Sequence, residues 1–174
     1  METLLILGIV YLMFQKRKTD SNFLDSVVIT ANSQYGVSES ENPNQVMEYL
    51  KSAGWTENYI APWCAAYVSW VYQQNDSTLK STTVTGLINQ ATNAGKWNRI
   101  HSSADYYKFK KGQFFALDYN ENGVPDHAGI ILEYDSENQI LYTIEGNYSN
   151  KVDRVTRKNT LNLITGVSDF QEPF

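Results

Sequence analysis

The hydrophobic pattern of the chain changes character twice. An unbroken apolar run, Leu4 to Phe14 (LLILGIVYLMF), comes first and is closed by the basic cluster Lys16, Arg17 and Lys18. From Thr19 the apolar spacing becomes helical. Phe23, Val27, Val28 and Ile29 mark one helix, which Gly36 ends. A second begins near Asn42 and Pro43, where the missing proline N–H costs little, carries Val46, Tyr49 and Leu50 on one side, and closes at Gly54. A third follows Pro62 through Trp63, Cys64, Ala65, Ala66, Tyr67, Val68, Trp70 and Val71. It is apolar nearly all round, the pattern of a helix buried on most faces in the centre of a domain. A weaker helix covers Val84 to Ala94, before Gly95.

Beyond Lys111 the period shortens to that of strands. Gln113 to Asp118, Ala128 to Tyr134, Ile140 to Glu145, Lys151 to Arg157 and Leu161 to Val167 are β-branched or aromatic runs, separated by turn residues such as Asn122-Gly123 and Gly146-Asn147. Helices first and strands second predict an α+β fold in which N-terminal helices pack on an antiparallel β-sheet, and argue against a doubly wound parallel sheet. No internal repeat, Gly/Ser linker or low-complexity tract divides the chain.

The first run needs its own reading. As a helix it would rise about 17 Å, little more than half of a bilayer core of about 30 Å. A secretory signal carries its basic residues before the apolar run, whereas here Glu2 precedes it and the cations follow. Residues 1–18 are therefore expected to form a retained, membrane-associating helix with its basic flank at an anionic surface. An atypical signal peptide and a helix buried against an assembly partner are the alternatives. Residues 19–174 are expected to form one catalytic domain.

Composition narrows the chemistry. A chain of 174 residues suits one domain, and its 42% hydrophobic and 19% charged content is that of a globular protein. Nucleic acid is an unpromising partner, because 14 Lys+Arg face 19 Asp+Glu, a net charge of −5 with no long basic stripe. The single cysteine excludes an internal disulfide and a zinc site built on several thiolates. Burial or chemistry remains for it.

Cys64 falls in the first turn of the buried helix, where unpaired backbone N–H groups and the positive end of the helix dipole favour a thiolate. Taken alone, a buried cysteine is as readily a small hydrophobe. Of the two histidines, His101 lies in the polar stretch IHSSADYY and reads as a solvated loop residue, while His127 starts the strand AGIILEY, where it can accept a proton from a thiol. A third group is needed to orient the imidazole. If Asp135 to Gln139 form a symmetric five-residue hairpin loop, His127 falls opposite Asn147, with Glu145 its diagonal neighbour on the same face; a loop one residue shorter or longer removes both. Glu145 is the first choice as orienter and Asn147 the alternative or helper. Asp126 adjoins His127 but faces the other way.

Asp118, Asn120, Asn122 and Gly123 copy the opening of a calcium loop, but the twelfth position, where a bidentate carboxylate belongs, is Gly129. A tight polar turn is the commoner explanation. Calcium is a weak candidate there, and no other cofactor is called for.

The blocks APWCAAYVSWVY (Ala61 to Tyr72), KKGQFFALDY (Lys110 to Tyr119), DHAGIILEYD (Asp126 to Asp135) and TIEGNYSN (Thr143 to Asn150) together resemble the CHAP branch of the papain-like cysteine peptidases and amidases that cut peptidoglycan. The stretch Gln34 to Trp55 also looks like the leading helices of phage-encoded and bacterial members. The resemblance implies a papain-like CHAP fold, with the family's nucleophile on Cys64, its base on His127 and its orienting acid on Glu145, beside Asn147. It implies thiolate attack on an amide carbonyl, an acyl-enzyme and hydrolysis, with peptidoglycan as substrate. Some members bind calcium through acidic residues just before the cysteine, where Thr56 to Ala61 supply only Glu57.

Taken with the apolar leader, the resemblance suits a virion-associated lysin, held at a membrane or among virion structural proteins, that opens the wall during host penetration. The positive-inside preference would put Lys16 to Lys18 on the cytoplasmic side of a cellular membrane, where no peptidoglycan lies, which favours a viral membrane or a non-spanning helix. A non-catalytic assembly or docking protein on the same fold and an antibacterial effector amidase are the competing functions.

Overall fold

The computed structural model describes residues 22–171. The apolar run, its basic flank and the expected anchor over residues 1–18 lie outside the described residues. Within them, no helix is long and apolar enough to cross a membrane.

Four helices precede most of the sheet. Helix α1 covers 22–33 and gives way to a turn that Gly36 closes at a φ of 87°. Helix α2 (Pro43–Ser52) buries Val46, Tyr49 and Leu50, the three-then-one spacing of a single helical stripe. Helix α3 (Cys64–Gln73) is buried along its length from Cys64 to Tyr72. Helix α4 (Val84–Asn93) starts at Thr83, whose hydroxyl accepts the Gly86 N–H, and buries Val84, Leu87 and Ala91.

The strands are β1 (Asn98–Arg99), β2 (Phe114–Leu117), β3 (His127–Asp135), β4 (Ile140–Tyr148), β5 (Lys151–Arg157) and β6 (Ile164–Ser168). They form one antiparallel sheet in the order β1-β6-β2-β3-β4-β5. The protein is thus α+β, with helices ahead of an antiparallel sheet. Alternation along the strands divides the interior. Phe114, Ala116, Ala128, Ile130 and Ile144 join the helices in one core, while Phe115, Leu117, Ile131 and Leu141 form a second. Helix α3 lies on β3 and β4 and backs onto α2.

Three sequence expectations change. The stretch around His101 is not simply a solvated loop: His101 is exposed, but β1 precedes it and a 3-10 turn (Ser103–Lys108) follows. Tyr106 and Phe109 are buried in the second core, where they stack at 5.1 Å. The segment expected as a strand from Leu161 opens with a 3-10 turn (Leu161–Leu163) and becomes β6 only at Ile164. Gly146-Asn147 is not a turn. Strand β4 runs on to Tyr148, and the chain reverses at Ser149-Asn150, both at positive φ (53° and 63°), as a two-residue hairpin turn matched to sheet twist requires.

The hairpin between β3 and β4 also departs from the symmetric loop. Asp135 pairs with Ile140, so the loop is Ser136 to Gln139, one residue shorter than expected. Asp135 shapes it by accepting the Glu137 and Asn138 N–H groups, each at 3.0 Å. That shortening alone would reverse the facing of every residue before it. A bulge between Ile131 and Glu133 absorbs Leu132 and reverses it again, giving Ile131↔Thr143 and Ile130↔Ile144. The register reaching His127 is therefore the one a symmetric loop would have produced.

Candidate active site

Trp63 ends the approach to α3 in a non-helical conformation and offers no side-chain cap, so Cys64 is the first helical residue and its end of the helix is left uncapped by side chains. The position is pinned from two sides. The fully buried indole of Trp63 donates to Glu39 Oε1 at 2.8 Å, and Tyr67, one turn beyond Cys64, donates its hydroxyl to the Ala31 carbonyl at 2.9 Å. Gly146 lets β4 press against this turn, since a Cβ there would lie 2.5 Å from Tyr67 Cβ. Cys64 is 7% exposed.

His127, the first residue of β3, is 8% exposed. Its Nε2 lies 2.8 Å from Glu145 Oε2. With Nε2 so engaged, Nδ1 is the nitrogen left to meet Cys64. Burial by itself would lower the imidazole pKa, but hydrogen bonding and charge interactions with Cys64 and Glu145 outweigh it and push the group up to about 9. At neutral pH the ring is therefore an imidazolium, bonded through Nε2 to the Glu145 carboxylate.

Glu145 is fully buried. Arg157, at the end of β5 and 3% exposed, holds it with two bonds, Nε to Oε1 at 2.7 Å and Nη2 to Oε2 at 2.6 Å, and the Thr143 hydroxyl also donates to Oε1. Burial would raise the carboxyl pKa; His127 and Arg157 more than offset it and hold the group below the usual carboxylate range. The pocket for this side chain exists because residue 129 is glycine: a Cβ there would sit 2.6 Å from Glu145 Cγ and 2.9 Å from Phe115 Cε1. Tyr119 completes the surroundings. Its ring lies 5.6 Å from the imidazole and its hydroxyl accepts from Arg157 Nη2 at 2.6 Å.

Of the residues singled out from sequence, Cys64, His127 and Glu145 come together and Asn147 does not join them. The alternation that would put Asn147 on the same side as Glu145 is broken by a second bulge, between Glu145 and Tyr148, where Asn147 takes a φ of 57°. The bond to His127 Nε2 comes from Glu145. Asp126 points away from His127, accepting from the Tyr119 N–H and Asn120 Nδ2.

The calcium-like segment is an internally satisfied turn. Asp118 accepts the N–H groups of Asn122 and Gly123, Asn120 also accepts that of Asn122, and Asn122 accepts that of Val124. These oxygens are spent on the backbone, and among the described residues no group of three His, Cys, Asp or Glu could hold a metal ion. The aromatic residues near Cys64 in sequence divide: Trp63 is core, while Tyr59 is exposed against Trp55 at 5.4 Å. A cleft of about 690 Å³ opens elsewhere on the surface, with Ser38, Glu39, Ile60, Ser149 and Lys151 in its walls; Cys64, His127 and Glu145 do not line it.

Arg157 and Tyr119 were missed by sequence reasoning. The one available signal was an arginine at a strand position whose alternation, two, four and six residues from Val155, Asp153 and Lys151, does not by itself say which face is buried. Compared with models of protein families, with curated proteins and with solved structures, the chain matches none.

Proposed function

We propose that this protein is a cysteine hydrolase of papain-like, CHAP-type architecture that cuts an amide bond in peptidoglycan. The observation that carries the reading is the Cys64, His127, Glu145 arrangement: a thiol at an uncapped helix start, an imidazole whose other nitrogen is fixed by a buried carboxylate. The choice of peptidoglycan rests on the four sequence blocks that resemble CHAP enzymes.

In this mechanism the Cys64 thiolate attacks the amide carbonyl carbon, and the carbonyl electron pair moves onto oxygen. The Cys64 backbone N–H, directed outward at the helix start, donates to that oxyanion. As the tetrahedral intermediate collapses, the C–N bond breaks and His127 Nδ1 gives its proton to the leaving amine, leaving a thioester. Neutral His127 then takes a proton from water as the water oxygen attacks the thioester, the C–S bond breaks with its electron pair going to sulfur, and the thiolate and imidazolium are restored as the carboxylic acid leaves. Glu145 keeps Nε2 occupied throughout, so the nitrogen facing Cys64 does not change.

The apolar run and basic flank of residues 1–18 support membrane association, and with it a virion-associated lysin used in host wall penetration. The test is digestion of purified peptidoglycan by the full chain, with mass spectrometry of the released fragments. Soluble products bearing a new amine and a new carboxyl terminus are expected, and Cys64→Ala should release none while keeping the wild-type circular dichroism spectrum. Equal release by Cys64→Ala overturns the mechanism. The position of the new termini, at the lactyl amide junction or within stem or bridge peptide, identifies the bond.

A further inference from the structure

We infer that Arg157 is a positioning residue of this site, holding Glu145 in place and charge-balanced while His127 gains and loses its proton, and that it acts on Cys64 only through Glu145 and His127. The inference rests on the reading of Cys64 as a nucleophile.

Its basis is the division of labour on one buried carboxylate. Oε1 is taken by Arg157 Nε at 2.7 Å and by the Thr143 hydroxyl, whereas Oε2 is shared between Arg157 Nη2 at 2.6 Å and His127 Nε2 at 2.8 Å. A carboxylate so held cannot rotate, and the imidazole on it is held in turn. Arg157 is itself fixed. Nη2 donates to the Tyr119 hydroxyl, Nη1 to Thr160 Oγ1 at 3.4 Å, and the guanidinium carbon lies 5.4 Å from the Tyr119 ring centre and 5.7 Å from that of Phe115. In register Arg157 sits opposite Leu141, four residues along β4 from Glu145, so only a long side chain can reach.

Charge bookkeeping gives the arrangement a purpose. In the attacking state of the proposed mechanism the site holds two anions, the Cys64 thiolate and Glu145, and two cations, His127 and Arg157. When Cys64 is acylated and His127 has given its proton to the leaving group, both of their charges are gone. Without Arg157, Glu145 would then be a fully buried carboxylate with no cation beside it, which is strongly unfavourable, and it would take up a proton itself instead of holding His127 charged. With Arg157 present the carboxylate stays paired in both states. Apart from His127 and Arg157, no cationic side chain among the described residues is bonded to Glu145; Lys151, on the same strand as Arg157, is engaged by Asp153 at 2.7 Å.

The test uses the fact that Cys64 is the sole cysteine, so its alkylation by iodoacetamide, followed by intact mass against pH, reads the site without any substrate. Arg157→Gln and Arg157→Lys are compared in the wild-type and Glu145→Gln backgrounds, each checked for folding by circular dichroism. Arg157→Gln is expected to slow alkylation at pH 7 by about tenfold or more and to move the acid limb of the profile to higher pH. Arg157→Lys should recover part of both effects, and in the Glu145→Gln background Arg157→Gln should add nothing further. If Arg157→Gln does not fold, Arg157→Lys carries the comparison, its acid limb lying above that of the wild type. A wild-type profile in the folded Arg157 variants, or an equal loss in the Glu145→Gln background, overturns the inference. A wild-type thiol no more reactive than free cysteine instead overturns the nucleophile reading itself, and inert peptidoglycan with the predicted coupling intact overturns only the substrate.

Discussion

Gly129→Ala is the most discriminating perturbation, because it adds one methyl group to a residue with no chemistry of its own. The new Cβ would fall 2.6 Å from Glu145 Cγ and 2.9 Å from Phe115 Cε1, where ordinary contact begins at 3.4 Å. Something must retreat by about 0.8 Å to restore that contact. Phe115 is fully buried between strands, and Glu145 is tied at both oxygens by Arg157. A carboxylate displaced by that amount carries the 2.8 Å bond to His127 Nε2 past useful hydrogen-bonding distance. Two effects follow. Overpacking of this kind costs about 1–3 kcal/mol of stability. The imidazole also loses one of the two neighbours that hold it up near 9; the interval from its ordinary 6.5 corresponds to about 3 kcal/mol favouring the imidazolium, shared between Cys64 and Glu145. Thermal unfolding should therefore show a lower midpoint, His127 should titrate at least about one unit lower by NMR, and alkylation of Cys64 at pH 7 should slow by about tenfold. Gly129→Ala with an unchanged midpoint and an unchanged His127 titration would refute the argument that this glycine makes room for the carboxylate.

Two further outcomes can be measured with the same material. His127 has a folded pKa above its unfolded value, so its contribution to stability is complete below about 6.5 and disappears as pH rises through about 9. Glu145, held below its ordinary 4.5, contributes above that value and loses its contribution as pH falls through the depressed one. Calorimetry across pH 3 to 10 should show the melting temperature falling off at both ends, and an acid limb that survives in Glu145→Gln would assign it elsewhere. Asn147→Gly, which keeps the positive φ, should leave both the melting temperature and the Cys64 alkylation rate near wild type. Loss of alkylation in that variant would return Asn147 to the site.

The helices were legible because their signals are local. Pro43 at a helix start and the nearly all-round apolar pattern of Trp63 to Val71 each act within a few residues. Cys64 and His127 stood out because a lone cysteine at such a start and a strand-leading histidine are few enough to examine one by one. The pairing of His127 with Glu145 came out with the facing assumed, through a loop length that was wrong: the shorter turn and the bulge at Leu132 cancel, and no residue pattern distinguishes two compensating irregularities from none. Asn147 failed for the complementary reason, since the bulge beside it has nothing on β4 to cancel it. Arg157 and Tyr119 were invisible for a third reason. Arg157 meets Glu145 from a neighbouring strand, and Tyr119 meets Arg157 and His127 from the turn after β2, so their relevance exists only once the sheet is paired. Tyr106 and Phe109 had the same handicap, their burial depending on a sheet face that the local polar residues hide.

The two-sided sheet has a consequence for the proposed reactivity of the thiol. Cys64 belongs to the core that the helices make with one face, whereas Phe115 and Leu141, against which the Arg157 and Glu145 arm is built, belong to the core on the other. His127, at the tip of β3, is the point where the two meet. A chain in which only the helical layer has docked holds an ordinary buried cysteine, with neither a base nor a carboxylate aimed at it. On the proposed reading, thiol reactivity thus reports completion of both layers rather than of either one.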